Sequence, residues 1–202
     1  MRRKMFESFI SVSKLHVTES ILDVGVTSDR TYASSNYLEA WYANKENVTA
    51  VGLDEAGFLE QQFPGVRFVQ ANGKALPFRD NTFDVVHSSA VIEHVGSRAE
   101  QTRFISELFR VSRRVTCLTT PNRWFPIEVH TGLPLVHWLP KQGFRAVLRS
   151  VGLPFFADEG NLNLLGAAEL RGLCAGLDAR QVHVRGVRLG GWTSNLILFL
   201  WK

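Results

Sequence analysis

Cysteines are scarce in this chain, and long apolar runs are missing. The 202 residues include only Cys117 and Cys174, which lack CxxC spacing and have no neighbouring histidine. This excludes a disulfide scaffold and favours two reduced core thiols in a cytosolic protein. No segment approaches the roughly 18 consecutive apolar residues of a membrane-spanning helix. The basic start resembles a signal peptide, but Glu7 and the serines after it interrupt the apolar core, so we predict a cytoplasmic protein.

The chain also has no strong excess of positive or negative charge. Lysine and arginine number 23, aspartate and glutamate 19, and the formal net charge is +4 without a long basic run. Because the two signs are interspersed, an ordinary solvated surface is predicted and no nucleic-acid partner is expected. Hydrophobic residues make up 45% and charged residues 21%, which is typical of globular proteins. Length and composition together predict one domain, residues 1–202, with a full hydrophobic core.

Apolar segments of strand length alternate with segments of helical period. The predicted helices are Tyr37–Tyr42, Phe58–Phe63, Ala99–Val111 and Ala167–Leu177. This alternation predicts an α/β fold in which helices cover both faces of a mostly parallel sheet. Ligands of such sheets bind at the carboxyl ends of the strands. The predicted strands are Ile21–Val26, Val48–Leu53, Val66–Gln70, Phe83–Ser88, Val115–Thr119, Gln181–Val187 and Asn195–Trp201.

Three polar or glycine positions at strand ends suit a nucleotide site. Gly25 ends the first strand, where a missing Cβ lets the backbone approach a ligand closely. Asp54 follows the second strand, where a carboxylate can accept both hydroxyls of a ribose. Asn72 follows the third, and its amide offers a donor and an acceptor to an adenine edge. Each feature is common alone, but their order and spacing together indicate one nucleotide site.

Two further segments resemble the class I S-adenosylmethionine-dependent methyltransferases. The run from Leu76 to Val86 reads LPFRDNTFDVV, and residues 91–95 read VIEHV. Both are similar to motifs of the small-molecule methyltransferases, and the resemblance covers about residues 20–122. It implies S-adenosylmethionine as cofactor and a small-molecule, lipid or sugar-type acceptor. It also implies a Rossmann-like three-layer sandwich with a seven-stranded, mostly parallel sheet whose last strand is antiparallel.

The resemblance assigns cofactor contacts along the first half of the chain. Asp23 and Gly25 match the loop beside the methionine moiety, and Asp54 matches the ribose acid. Asn72 stands where the family usually has an aspartate at the adenine amine. The cofactor-binding residues that we predict are Asp23, Gly25, Thr27, Ser28, Asp54, Glu55, Asn72, Gly73, Ser88 and Ser89.

The loop after the first strand departs from the family pattern. Two glycines of that pattern are replaced by Thr27 and Asp29. Because non-glycine residues resist positive φ, either this loop follows another path or the cofactor sits differently. We expect the Thr27 and Ser28 hydroxyls to replace some backbone contacts, and residues 28–36 to form a lid that orders on cofactor binding. If the Asp29 carboxylate instead repels the cofactor, the domain is a catalytically silent scaffold that binds the cofactor weakly or binds a partner.

His94 and His130 are the candidate catalytic residues. His94 belongs to the loop after the fourth strand, which faces the transferred methyl group in related folds, and His130 lies in the long segment after the fifth strand. Each would act as a general base for a protonated acceptor. The alternative for both is a structural hydrogen bond, for example between His94 and Glu93. Since no group of potential ligands has metal-binding spacing along the sequence, we predict no metal site.

The segment of about residues 122–160 is too long for an ordinary connection. It is rich in Pro, Trp and Phe and carries several cations. Long loops usually carry function, so we predict a substrate-cap insertion that holds an amphipathic acceptor or makes peripheral contact with a membrane. A hydrophobic cluster that merely covers the sheet edge is the alternative.

Three functions remain open on these grounds. The first is an active methyltransferase for a small acceptor, and the second is the silent scaffold. A nicotinamide dehydrogenase is the third, but the G-x-G-x-x-G fingerprint of such enzymes is missing. Binding of S-adenosylmethionine compared with NAD distinguishes them.

Overall fold

Seven strands form one sheet between two layers of helices. The computed structural model describes residues 1–32 and 34–202. Across the sheet the strand order is β3-β2-β1-β4-β5-β7-β6. The predicted Rossmann-like α/β sandwich is confirmed, and each strand lies within a few residues of its predicted position. The strands are β1 (Ile21–Val24), β2 (Val48–Gly52), β3 (Arg67–Gln70), β4 (Phe83–Ser89), β5 (Ser112–Pro121), β6 (Gln181–Leu189) and β7 (Trp192–Trp201).

Strands β1 to β5 are parallel, and β7 is antiparallel to both of its neighbours. Ile21 of β1 pairs with Val48 of β2 on one side and with Val85 of β4 on the other. β7 pairs with β5 and β6 in the opposite direction, which confirms the predicted antiparallel last strand. The carboxyl ends of the five parallel strands therefore meet at one edge, where the predicted nucleotide residues follow them.

Alternating side chains of the strands build two apolar layers. In β7, Leu196 and Leu198 belong to one core cluster, whereas Ile197 and Phe199 belong to the other. This period of two arises because successive side chains of a strand point to opposite faces. The helices are α1 (Arg2–Ser13), α2 (Tyr37–Trp41), α3 (Phe58–Gln62), α4 (Arg98–Val111), α5 (Lys141–Ser150), α6 (Pro154–Ala157) and α7 (Ala167–Gly172).

Helices α4 and α7 cover one face, and α1 to α3 contribute to the core on the other. α4 begins after Ser97, whose hydroxyl accepts a hydrogen bond from the Glu100 amide, a typical N-cap. The predicted helix Ala167–Leu177 is too long, since α7 ends at Gly172. Glycine lowers helix stability, and from there the chain tightens into turns, with the Cys174 amide bonding to the Arg171 carbonyl.

Helix α1 was not predicted, although its sequence carries a helical signal. Met5, Phe6 and Phe9 are buried, and Phe9 is fully enclosed. Their spacing places them on one side of a helix. α1 completes the apolar core on its face of the sheet, where it lies next to β5 and α2.

The connection between β5 and α7 contains α5 and α6 and has its own apolar cluster. Phe144, Leu148, Ala157, Leu162 and Leu164 form this cluster. We call residues 122–166 the cap. The predicted cap insertion overlaps this segment, and its role as a substrate cap stays a prediction.

Both cysteine thiols lie inside the fold. Cys117 and Cys174 are both buried and unbridged, and burial raises the pKa of the Cys174 thiol to about 11. Within residues 1–32 and 34–202, every helix is too short or too polar to traverse a lipid bilayer.

Candidate functional site

A cavity of about 520 Å³ opens at the carboxyl ends of the first three strands. Its walls include Gly25 after β1, Leu53 after β2, Asn72 and Gly73 after β3, and Phe104 of α4. The position agrees with the rule that α/β sheets bind ligands at this edge. We call this space the first cavity. Four of the predicted site residues, Gly25, Asn72, Gly73 and His94, lie in its wall.

Gly25 is held in a conformation that other residues rarely adopt. Its φ is 100°, and its amide donates a hydrogen bond to the Val51 carbonyl of β2, at 2.7 Å. A Cβ at this position would overlap the side chain of Val91. The strand can therefore turn into the cavity wall here only because the residue is glycine.

Side-chain hydrogen bonds shape the loop that lacks the other glycines. The Asn36 amide group accepts from the Thr27 backbone N–H at 2.9 Å and donates to the Thr27 carbonyl at 3.0 Å. The Thr27 hydroxyl accepts from the Asp29 amide, and the Asp29 carboxylate accepts from the Thr31 amide. Hydrogen bonds from Thr31 lower the pKa of Asp29. Both replacements for the expected glycines thus support the turn itself.

This loop follows a path without left-handed residues after Gly25. Within residues 26–32 and 34–36, no residue has a positive φ. The expected lid, residues 28–36, includes residue 33, which lies outside the described part of the chain. Its ordering on cofactor binding stays a prediction.

Asn72 lies in the wall of the first cavity, and its side-chain oxygen is engaged in a local turn. The oxygen accepts a hydrogen bond from the Lys74 backbone N–H at 2.9 Å. The remaining NH₂ group supplies donors, which suit the ring nitrogen acceptors of an adenine edge. Gly73 beside it keeps the wall open, since a Cβ there would lie 2.6 Å from the Phe104 ring.

The two acids after β2 differ in their contacts. Glu55 accepts two hydrogen bonds from the Gly57 amide, at 2.8 and 3.1 Å, and so supports the start of α3. Asp54 is exposed directly after Leu53, and Leu53 lines the first cavity with 69% of its surface accessible. Five predicted site residues line neither the first cavity nor the second cavity described below: Asp23, Ser28, Asp54, Glu55 and Ser88.

A buried polar network lies behind the Gly25 turn. The Asp23 carboxylate accepts from His87 Nδ1 at 2.6 Å, and His87 Nε2 lies 3.0 Å from the Tyr37 hydroxyl. Burial raises the pKa of Tyr37, and the nearby Asp23 charge adds to this. Phe9 packs against the His87 ring. This network was not predicted from the sequence, in which its only sign is a histidine, His87, within an apolar strand.

Glu39 lies near this network with neither carboxylate oxygen bonded to a described residue. Burial raises its pKa well above the usual range, and the Asp23 charge raises it further. Burial therefore favours the neutral form of the Glu39 carboxyl, which costs less to bury than a carboxylate.

A second cavity of about 460 Å³ meets the first at Gly25. Thr27, Ser89 and His130 line it, as do residues of α1 and of the β6–β7 hairpin. Ala90, also in this wall, has a φ of 55°. A non-glycine residue in this conformation is strained, and such strain is found often at functional sites. The contributions of α1 and the hairpin could not be assigned from the sequence, because they come from its two ends.

His94 and His130 meet where the two cavities adjoin. Their ring centroids are 4.8 Å apart, and His94 lines the first cavity whereas His130 lines the second. His94 Nδ1 lies 2.7 Å from the Asn161 carbonyl oxygen, and His130 Nδ1 lies 2.7 Å from Glu128 Oε1. The cap therefore orients both rings. Burial opposes ionisation of Glu128, but hydrogen bonds from His130 and Thr131 bring its pKa to about 2.

Glu93 stands beside the two histidines and is fully buried. Its Oε2 accepts from the Thr120 hydroxyl at 3.0 Å, while its Oε1 bonds to no described residue. Burial raises the pKa of Glu93, and the His94 and His130 rings oppose this. One potential ligand atom from each of Glu93, His94 and His130 lies within 4.8 Å of the others. The prediction of no metal site used sequence spacing, whereas the cap brings His130 to this cluster from a distant part of the chain.

Comparisons with known proteins agree with this architecture. A family model described as a methyltransferase domain matches residues 22–115. Two curated relatives, both probable S-adenosylmethionine-dependent methyltransferases from strains of Mycobacterium tuberculosis, are 39% identical over 80 residues. The matched part is 38% of this chain, and it spans only 28% of each relative.

Solved structures share the fold at low sequence identity. A 1,6-didemethyltoxoflavin-N1-methyltransferase from Burkholderia thailandensis, with bound S-adenosylhomocysteine, matches with a TM-score of 0.66 and 15% identity, over 100% of this chain and 77% of that one. The magnesium protoporphyrin IX methyltransferase of Synechocystis matches at 0.63 and 15%, over 100% and 82%. A methyltransferase from Methanosarcina mazei matches at 0.60 and 19%, over 96% of both chains.

Proposed function

We propose that this chain carries a class I S-adenosylmethionine-dependent methyltransferase domain and that it transfers a methyl group to a small amphipathic acceptor. The observation that carries the proposal is the pair of cavities that meet at Gly25. One suits an adenosyl group at the carboxyl ends of the strands. The other, beneath the cap, gives an acceptor access to the same point.

The residues of the first cavity fit the cofactor. S-adenosylmethionine supplies a methyl group activated by a sulfonium centre. Leu53 offers an apolar surface to the adenine, and the Asn72 NH₂ group offers hydrogen-bond donors to its ring nitrogens. Gly25 lies in the wall that both cavities share. Asp54, next to Leu53, is the proposed acceptor of the ribose hydroxyls.

The chain contributes mainly by positioning the acceptor. Holding two reactants in line can lower a barrier by up to about 7–11 kcal/mol. A base is needed only when the acceptor carries a proton at working pH. His130 is better placed than His94 for that role, because it lines the second cavity and Glu128 fixes its Nδ1. His94, in the wall of the first cavity, is the proposed positioning residue.

Replacing Asp54 by alanine tests the cofactor assignment. We expect the Asp54→Ala variant to bind S-adenosylhomocysteine about 10- to 100-fold more weakly, because it loses charge-assisted hydrogen bonds to the ribose. Isothermal titration calorimetry measures the affinity. Asp178→Ala is the matched control, since Asp178 is an exposed acid just before β6, at the opposite edge of the sheet.

Two results would contradict the proposal. Equal affinity in Asp54→Ala and the parent chain would remove the ribose assignment. Feeble binding of both S-adenosylmethionine and its demethylated product by the parent would instead favour the silent scaffold.

We also propose that apolar residues of the cap make peripheral contact with a membrane. Trp124 and Trp138 are 52% and 37% exposed, and their rings lie 6.4 Å apart. Tryptophan pairs of this kind suit the boundary between water and lipid. Two cations of the cap are less available, because Arg145 pairs with Glu159 and Lys141 donates to Asn163.

Vesicle sedimentation tests this contact. The parent chain is expected to pellet with vesicles of phosphatidylglycerol and phosphatidylcholine, and Trp124→Ala/Trp138→Ala is expected to stay largely in the supernatant. Trp192→Ala is the control, because Trp192 is 54% exposed but belongs to the β6–β7 hairpin. Absence of the parent chain from the pellet, or equal pelleting by the double variant, would exclude the Trp pair as a membrane contact.

A further inference from the structure

Three potential metal ligands meet at the junction of the two cavities. The sequence motifs assign no shared role to these three side chains. We propose that Glu93, His94 and His130 bind a divalent transition-metal ion there. The three side chains each offer one ligand atom, and these atoms lie within 4.8 Å of one another. Two imidazoles and one carboxylate form a common ligand set for such ions.

The hydrogen bonds around both histidines are those expected of metal ligands. His94 Nδ1 donates to the Asn161 carbonyl, and His130 Nδ1 donates to the Glu128 carboxylate. With Nδ1–H bonded in this way, Nε2 is the nitrogen of each ring that is left to bind an ion. Histidines that bind metals almost always have their other nitrogen fixed in this way, by a carbonyl or a carboxylate.

The surroundings of the Glu93 carboxyl group also support a bound cation. It is fully buried, and its Oε1 bonds to no residue in the described ranges. The Thr120 hydroxyl occupies Oε2 and fixes the orientation of the carboxyl group. A buried carboxylate without a partner is costly, and a cation held also by two histidines compensates that charge.

The ligand atoms must approach one another slightly to share an ion. Two ligands at about 2.1 Å from a metal can be no more than about 4.2 Å apart. His94 is exposed, so its ring has the freedom to make this small movement. Glu93 and His130 are held by Thr120 and Glu128.

The position of the cluster suggests what a bound ion would do. His94 faces the first cavity and His130 the second. Three protein ligands leave at least one coordination position open. An acceptor oxygen in that position would be held near the proposed methyl donor and made more acidic, and the ion, rather than His130 as a base, would then activate the acceptor. This role rests on the proposed function, whereas ion binding itself does not.

Cobalt and zinc titrations test the proposal on the full chain, after a chelator has been used and removed. We expect one Co²⁺ per chain, with visible absorption bands that Zn²⁺ displaces. His130→Ala and Glu93→Gln should weaken Zn²⁺ binding at least 100-fold. Glu128→Gln, which alters only the partner of a ligand, should weaken it about 10- to 100-fold. His183→Ala is the control, because His183 is exposed on β6.

Thermal unfolding verifies that each variant is folded. Absence of saturable Co²⁺ and Zn²⁺ binding by the parent would overturn the proposal, as would unchanged affinity in both His130→Ala and Glu93→Gln. Calorimetry with S-adenosylhomocysteine on the metal-free chain separates this from the proposed function. Cofactor binding without ion binding overturns only the metal site, whereas ion binding without cofactor binding supports the metal site and contradicts the methyltransferase proposal.

Discussion

The Gly25→Ala variant is expected to bind S-adenosylhomocysteine about 100-fold more weakly than the parent chain, or not measurably. Gly25 has a φ of 100°, which an L-residue with a side chain rarely adopts. The new Cβ would also overlap Val91. Either the turn or the segment after β4 must move, and both form the wall where the two cavities meet. Calorimetry measures the affinity, and thermal unfolding reports any loss of stability.

A second substitution separates the two causes of that loss. Val91→Ala removes the side chain that the new Cβ would overlap, but it does not relieve the backbone. Gly25→Ala/Val91→Ala is therefore expected to recover only part of the affinity, and Val91→Ala alone to remain close to the parent. Parent-like binding by Gly25→Ala would show that this turn does not shape the cofactor site.

The strands and the residues at their ends were predictable because local patterns encode them. Apolar runs bounded by polar residues gave all seven strands, and parallel strands place their carboxyl ends at one edge. That argument alone brings Gly25, Asn72 and Gly73 to one cavity wall. The end of a strand does not determine where an exposed carboxylate points, so the cofactor contacts of Asp54 and Glu55 stay predictions. Glu55 instead supports the start of α3.

The meeting of His94 and His130 depends on contacts that no local pattern encodes. Their rings approach because the cap folds back over the sheet, with Asn161 and Glu128 bonded to the two imidazoles. These residues are far apart along the chain, so spacing rules for metal ligands do not detect them. The same limit applies to the second cavity, whose walls combine α1 with the last hairpin. Sequence analysis could name both histidines but could not pair them.

The buried pair of Asp23 and His87 is expected to be the most sensitive point of the core. The Asp23 carboxylate accepts a hydrogen bond from a histidine side chain with no exposed surface. In Asp23→Ala the His87 Nδ1–H loses its acceptor while it stays buried. Leaving such a group unpaired costs about 3 kcal/mol. For a chain of this size, the midpoint of thermal unfolding should fall by about 6–12 °C.

Conservative and paired variants distinguish a lost hydrogen bond from a lost side chain. Asp23→Asn keeps an acceptor oxygen of the same shape, so it should cost only about 1 kcal/mol. In a cycle with His87→Ala, the Asp23→Ala/His87→Ala variant should be less destabilised than the sum of the two single variants, because the unpaired donor is gone. Additive losses would mean that the two side chains stabilise the fold independently.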